Sequence, residues 1–180
     1  MLREKEGIEL ARYIYRKAKE LNKKVSFDVN FREDIYSSKE DAINIYLEFI
    51  KDADILKFSE EEIELFTNEK DLKNGLKTLV NDEQLVFVSL GSKGSYYQYK
   101  SESAIVETYK VKPVDTTGAG DAFYACILAY LDKVDNRNKS TIVEIMKHAN
   151  ICGALACLKK GALSSLPTSE ELENEYKNLY

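Results

Sequence analysis

Tryptophan is absent from this 180-residue sequence, and proline occurs twice, histidine once and cysteine three times. With only Pro113 and Pro167, both in loop-like surroundings, there is no proline-rich linker or tail. The cysteines, Cys126, Cys152 and Cys157, are odd in number, lie in apolar helical stretches and show no C-x-x-C spacing. They read as buried free thiols rather than a metal or redox site. His148 falls on a helical stretch without a partner motif and receives no role. No apolar run reaches the length of a membrane span. A basic surplus is missing too: the net charge of −5 excludes the basic face of a nucleic-acid binder, while leaving room for a local pocket for a phosphorylated ligand. The opening MLREKEGIELARYIYRKAKELNKK is charged, amphipathic and rich in Glu, with no uninterrupted apolar centre. It resembles neither a signal nor a transit peptide, so the cytoplasm is the expected compartment.

What is present belongs to a globular domain: 44% hydrophobic and 32% charged residues, enough for one ordinary core. Helical periodicity over 4–21 is followed by a β-rich run, Lys23 to Asn30. Helical signals recur at 37–53, 60–66, 71–80, 140–158 and 169–180. Strand-like runs lie at 54–59 and 85–91, and GSYYQYK with AIVETYKVK reads as a hairpin. Strands alternating with helices predict βαβ units and an α/β fold with a mostly parallel sheet. Ligands of such sheets bind beyond the carboxyl ends of the strands. The polar residues there are Asp28, Asn30 and Arg32, then Lys57, Ser59 and Glu62, then Ser89, Gly91 and Gly94. The twelve tyrosines, Tyr96, Tyr97 and Tyr99 among them, read mainly as sheet and helix packing.

The stretch DTTGAGDAF, Asp115 to Phe123, puts two glycines between two aspartates ahead of an apolar helical run. A helix start exposes unpaired N–H groups and a positive dipole end, and glycine lets the backbone approach an anion. Gly118, Ala119 and Gly120 then form a phosphate-sized cradle. A carboxylate beside a phosphate is repulsive, unless Asp121 faces a second reactant and takes a proton from its hydroxyl. The competing reading is a tight connection in which Asp121 only favours the helix N-terminus. Taken alone, Gly-Ala-Gly-Asp favours this second reading. No Walker sequence G-x-x-x-x-G-K-[ST] accompanies it.

DTTGAGDAF closely resembles the C-terminal signature of the PfkB, or ribokinase-like, family of sugar kinases. Four further segments follow in family order: SFDVNFRE (Asp-Pro-Asn-x-Arg in the family, with Val29 for proline), KFSEEE (Asn-x-x-Glu, with Ser59 for asparagine), VSLGSKGSYY (Thr-x-Gly-x-x-Gly, with Ser89 for threonine) and HANICGALACLKKGALSSLP. The resemblance covers essentially the whole chain. It implies a three-layer αβα ribokinase-like, Rossmann-like fold with a mostly parallel central sheet, and ATP-dependent phosphorylation of a sugar hydroxyl. Bacterial fructokinases are the nearest subgroup, followed by 2-keto-3-deoxygluconate kinases and ribokinases.

By this resemblance Asp121 is the general base and Gly118, Ala119 and Gly120 the anion hole. Glu62 organises Mg²⁺ through water, and Ser59, Ser89, Gly91, Gly94 and Asn150 lie against the nucleotide. Asp28, Asn30 and Arg32 line the sugar side. Asp115, Thr117, Ala156, Lys159, Gly161 and Ser165 resemble a monovalent-cation site, for K⁺, behind the anion hole. Outside the resemblance, Gly91 and Gly94 read as a hairpin turn, Asn150 as a polar residue on a helix surface and Arg32 as a surface arginine in a salt bridge. The early aspartate, the Gly-Gly motif and the β-sheet lid of the family, which often forms a dimer contact, have no counterpart in these residues. Residues 1–180 are therefore expected to form a single C-terminal nucleotide-binding portion of a sugar kinase, with apolar surface uncovered and little activity alone. A non-catalytic nucleotide-binding module and a plain interaction domain are the readings from other classes.

Overall fold

A computed structural model describes residues 2–180. Five strands form one sheet in the order β1-β2-β3-β4-β5: Ser26–Asp28, Ile55–Ser59, Leu85–Ser89, Ser95–Tyr99 and Glu102–Val106. Seven helices accompany them: α1 (Lys5–Glu20), α2 (Lys39–Asp52), α3 (Glu60–Thr67), α4 (Leu72–Leu79), α5 (Ala119–Leu131), α6 (Lys139–Ala156) and α7 (Ser169–Leu179). None of them is long and apolar enough to cross a membrane. The chain divides into two compact units. The first holds residues up to Val88 with Gln98–Ser101, and the second holds Ser89–Tyr97 with Glu102–Tyr180.

In the first unit β1 and β2 run parallel, with Asp28 opposite Lys57 at their carboxyl ends. Ile55, Leu56, Phe58 and Leu85 to Val88 are all buried, as continuous apolar strands require when both faces are covered. The first strand is shorter than Lys23 to Asn30. The Val25 carbonyl takes both the Asp54 and Ile55 N–H groups, and Asn30, at φ 38°, turns the chain out of extended conformation. Phe27, Phe31, Tyr36, Tyr46, Phe49 and Phe66 pack ring against ring, with centroids 5.0–6.2 Å apart. The buried Gln84 amide donates to the carbonyls of Ile50 and Ala53, 2.7 Å each, closing the end of α2. Helix starts follow their local signals: Ser38, Ser59 and Asp71 each accept the backbone N–H three residues on.

In the second unit Gly94 holds φ 103°, and a Cβ there would lie 2.1 Å from the Val106 carbonyl oxygen. Only glycine fits between the turn and β5. Helices α5 and α6 pack against each other, and α7 packs on α6. The His148 ring lies 3.8 Å from Tyr176, nearly parallel to it, and 4.7 Å from Tyr130. Tyr130 donates to Glu173 at 2.5 Å, and Tyr176 donates to Glu144. His148 thus anchors α7, the structural role left open by the sequence. Asn138 and Thr168 cap α6 and α7.

Candidate active site

In the first unit, the carboxyl ends of β1 and β2 carry a compact polar group. Lys57 is buried, 7% exposed, and its Nζ lies 3.0 Å from Asp28 Oδ1. Each Glu62 carboxylate oxygen takes one backbone donor: Oε1 accepts the Phe31 N–H and Oε2 the Ser59 N–H, each at 2.7 Å. Ser59 Oγ in turn accepts the Glu62 N–H at 3.2 Å, completing a capping box at α3. Burial pushes the Glu62 carboxyl up, opposed by its two N–H donors and by Lys57. Asn30 and Arg32 are exposed, and Arg32 forms no ion pair among the described residues, unlike the salt-bridged arginine of the alternative reading.

Sequence reasoning saw Ser59 and Glu62 only as nucleotide and metal residues. Ser-x-x-Glu ahead of an apolar run is also a capping-box signal, and serine replaces asparagine without loss of capping ability. From sequence Lys57 is one of the polar residues at a strand end, with no role assigned. Its burial follows from a register that one sequence does not display.

The turn of interest lies in the second unit. Gly118 is the N-cap of α5, in the left-handed region at φ 82°. A Cβ there would lie 3.1 Å from Ala162 Cα and 3.2 Å from Ala162 Cβ. Gly118 has no side-chain acceptor, so the N-cap residue makes no side-chain hydrogen bond to the first turn of α5. The Ala119 N–H turns back to the Thr116 carbonyl at 3.2 Å. Asp121 is the one acidic residue of the first turn and is exposed.

Asp115 fixes the approach to this turn. Its Oδ1 accepts the Thr117 N–H at 2.9 Å and its Oδ2 the Gly161 N–H at 3.0 Å. These donors hold its carboxyl down to about 2, with Gly161 the largest contributor. Asp115, Thr117 and Gly161 are therefore brought together. Ser165, 1% exposed, donates to the Ala162 carbonyl nearby in the same loop. Ala156 is buried in α6, whereas Lys159 is exposed and pairs with Glu171 at 3.3 Å.

Asn150 is not the surface residue of the alternative reading. It is 7% exposed, and its amide donates to the Val106 carbonyl at 2.9 Å. Gly91 and Gly94 do form the expected turn: Gly94 donates to the Gly91 carbonyl at 3.1 Å and accepts from Leu90 at 2.9 Å. Ser89 is half-buried just before it.

Among the described residues no cluster of three or more His, Cys, Asp or Glu could enclose a metal ion. Mg²⁺ commonly keeps several waters and few protein ligands, and each Glu62 oxygen retains lone-pair capacity beyond its N–H bond. The donor set fits a water-bridged carboxylate rather than a direct cage. Two surface hollows, of about 390 and 570 Å³, lie on the first unit and include none of these residues.

The family model for pfkB family carbohydrate kinases matches residues 6–169. The chain belongs to this family. It is 37% identical to fructokinase from Vibrio alginolyticus over 150 residues, 82% of this chain and 49% of that protein. It is 38% identical to fructokinase-1 from Zea mays over 159 residues, 86% of this chain and 49% of that one. The crystal structure of fructokinase from Vibrio cholerae O395, with fructose, ADP and calcium ion bound, superposes with a TM-score of 0.84 at 36% identity. That match covers 91% of this chain and 54% of the other. The pfkB chain therefore has the ribokinase-like α/β fold expected of its motifs, and it spans about half the length of the curated relatives it matches.

Proposed function

We propose that residues 1–180 are the nucleotide-binding portion of an ATP-dependent, fructokinase-like sugar kinase, with Asp121 as general base. The observation that carries this reading is an exposed carboxylate on the first turn of α5, behind a left-handed glycine cap that makes no side-chain hydrogen bond. Asp121 accepts the proton of a sugar hydroxyl as its oxygen attacks the γ-phosphorus of ATP. The bond to the bridging oxygen breaks, ADP leaves, and the sugar carries the phosphoryl group. Gly118, Ala119 and Gly120 form the anion hole for charge on the transferring group, chiefly through Gly118 and Gly120, since Ala119 donates to Thr116.

Ser59, Ser89, Gly91, Gly94 and Asn150 take the nucleotide, and Asp28, Asn30 and Arg32 the sugar. Arg32, free of ion pairing, suits phosphate or a sugar-acid carboxylate. Mg²⁺, when bound, screens the phosphate charge, and Glu62 would hold it through water. K⁺ would be held by the loop of Asp115, Thr117, Ala156, Lys159, Gly161 and Ser165, where Asp115 and Ser165 fix the backbone. Fructose is favoured by the fructokinase relatives, with 2-keto-3-deoxygluconate and ribose next. The compartment read from the sequence is the cytoplasm.

Coupled measurement of ADP release with fructose, set beside ATP binding, tests this reading. ATP bound by this chain, with fructose-dependent turnover in a form carrying the rest of the kinase, supports it. Such turnover undiminished in an Asp121→Asn variant removes the base assignment. A nucleotide-binding module without turnover is the second reading. It predicts ATP binding and no fructose response in any longer form.

A further inference from the structure

The three cysteines show no pairing in sequence, but two of them meet across the seam between α5 and α6. The Cβ position of Gly153 lies 3.5 Å from Phe123 Cβ, and the His148 ring lies 4.7 Å from that of Tyr130. Residue numbers therefore rise along α5 as they fall along α6, so the helices run antiparallel. Cys126 stands four residues before Tyr130, and Cys152 four residues after His148. Residues four apart share a helix face. Both cysteines thus face the seam one turn from the Tyr130–His148 contact.

Cys126 and Cys152 lie near enough across the seam for each thiol to perturb the ionisation of the other. The helices are close here: a Cβ at Gly153 would come 3.2 Å from the Ala119 carbonyl oxygen. Cys126 is buried and Cys152 half-buried. The neighbouring Cys126 holds the Cys152 thiol down, while Cys152 and burial together hold Cys126 up. The more open sulfur is also the more easily ionised one.

We propose that Cys126 and Cys152 are a redox-responsive dithiol, closed to an inter-helix disulfide by a small hydroperoxide. The Cys152 thiolate attacks the peroxide, the O–O bond breaks, and Cys152 becomes a sulfenic acid as the other oxygen leaves as water or an alcohol. The Cys126 sulfur then attacks the Cys152 sulfur. The S–S bond forms, the S–O bond breaks, and the hydroxide leaves with the Cys126 proton as water. Two thiols are oxidised and one peroxide is reduced. Cys126 needs no solvent access, because its step is intramolecular. Cys152 adjoins Gly153, which lies against Ala119, so closing the bond moves the start of α5 and with it the proposed phosphate turn. That last consequence rests on the function proposed above; the dithiol chemistry does not.

The reduced 180-residue chain is treated with hydrogen peroxide and measured by intact and peptide mass spectrometry. The expected result is loss of two hydrogens, mapped to a Cys126–Cys152 cross-link, with Cys157 unchanged and full reversal by dithiothreitol. In Cys126→Ser, oxidation stops at a Cys152 sulfenic acid that dimedone traps. Oxidation of Cys157 alone, oxygen gained at Cys152 without cross-linking in the wild type, or no reaction overturns the proposal. A several-fold change in Mg·ATP affinity between reduced and oxidised chain supports the link to α5, and equal affinity removes that link. A folded, reduced chain that binds no ATP counts against the kinase reading and leaves the mass result standing.

Discussion

The Asp115 carboxylate accepts the Gly161 N–H at 3.0 Å while its other oxygen holds Thr117 at 2.9 Å, so one side chain locks the approach to α5 to the loop after α6. These donors depress its carboxyl to about 2, and a depressed group stabilises the fold while it is ionised. The stability Asp115 adds is fully present above its unfolded value of about 4 and disappears as pH falls toward its folded value. Asp115→Asn should therefore melt below the wild type at pH 7, with the gap closing between about pH 4 and pH 2. Thermal melts across that range check the sign, and a gap that widens in acid contradicts it.

Gly118 leaves no space for a side chain. Its φ of 82° disfavours any L-residue, and a Cβ would press on the Ala162 backbone at 3.1 Å. Gly118→Ala is expected to cost about 1–3 kcal/mol in denaturant unfolding and to weaken ATP binding, because the strain falls on the phosphate turn.

The buried Lys57 and the half-buried Asp28 pair at 3.0 Å across the parallel register. Lys57→Met takes the charge partner from the half-buried Asp28 carboxylate, and unfolding stability should fall by roughly 1–3 kcal/mol. Adding Asp28→Asn removes the carboxylate charge that Lys57 balanced and should restore part of the loss. Chemical denaturation of the single and double variants tests this; additive losses would show that the two side chains do not act as a pair.

Asp121 is exposed, so it should contribute little to stability. Asp121→Asn is expected to leave the melting temperature within a degree or so, since surface changes away from special features usually cost under about 0.5 kcal/mol. A large destabilisation would make Asp121 a structural cap instead.

The parts legible in the sequence are those set by local chemistry. Glycines ahead of an apolar run announced the start of α5, β3 appeared as a continuous apolar run because both its faces are covered, and β2 as a strand-like run interrupted by Lys57. The family motifs likewise gave the fold before any coordinate. Tertiary facts stayed hidden. The Lys57–Asp28 pair depends on strand register, Asn150 is buried because Val106 approaches it, and Cys126 meets Cys152 only because two antiparallel helices bring residues far apart in sequence onto one seam. The capping box of Ser59 and Glu62 is written locally, in the same residues that carry the family's Asn-x-x-Glu motif.

The central claim is that the turn before α5 cradles the phosphates of ATP and that Asp121 acts on the acceptor rather than on the nucleotide. Calorimetric titration of the folded chain with Mg·ATP, beside the Asp121→Asn variant, tests it most directly. The account predicts that both bind ATP, with affinities within about tenfold of each other. A folded wild-type chain that binds no ATP, or a variant that alone loses binding, would contradict it.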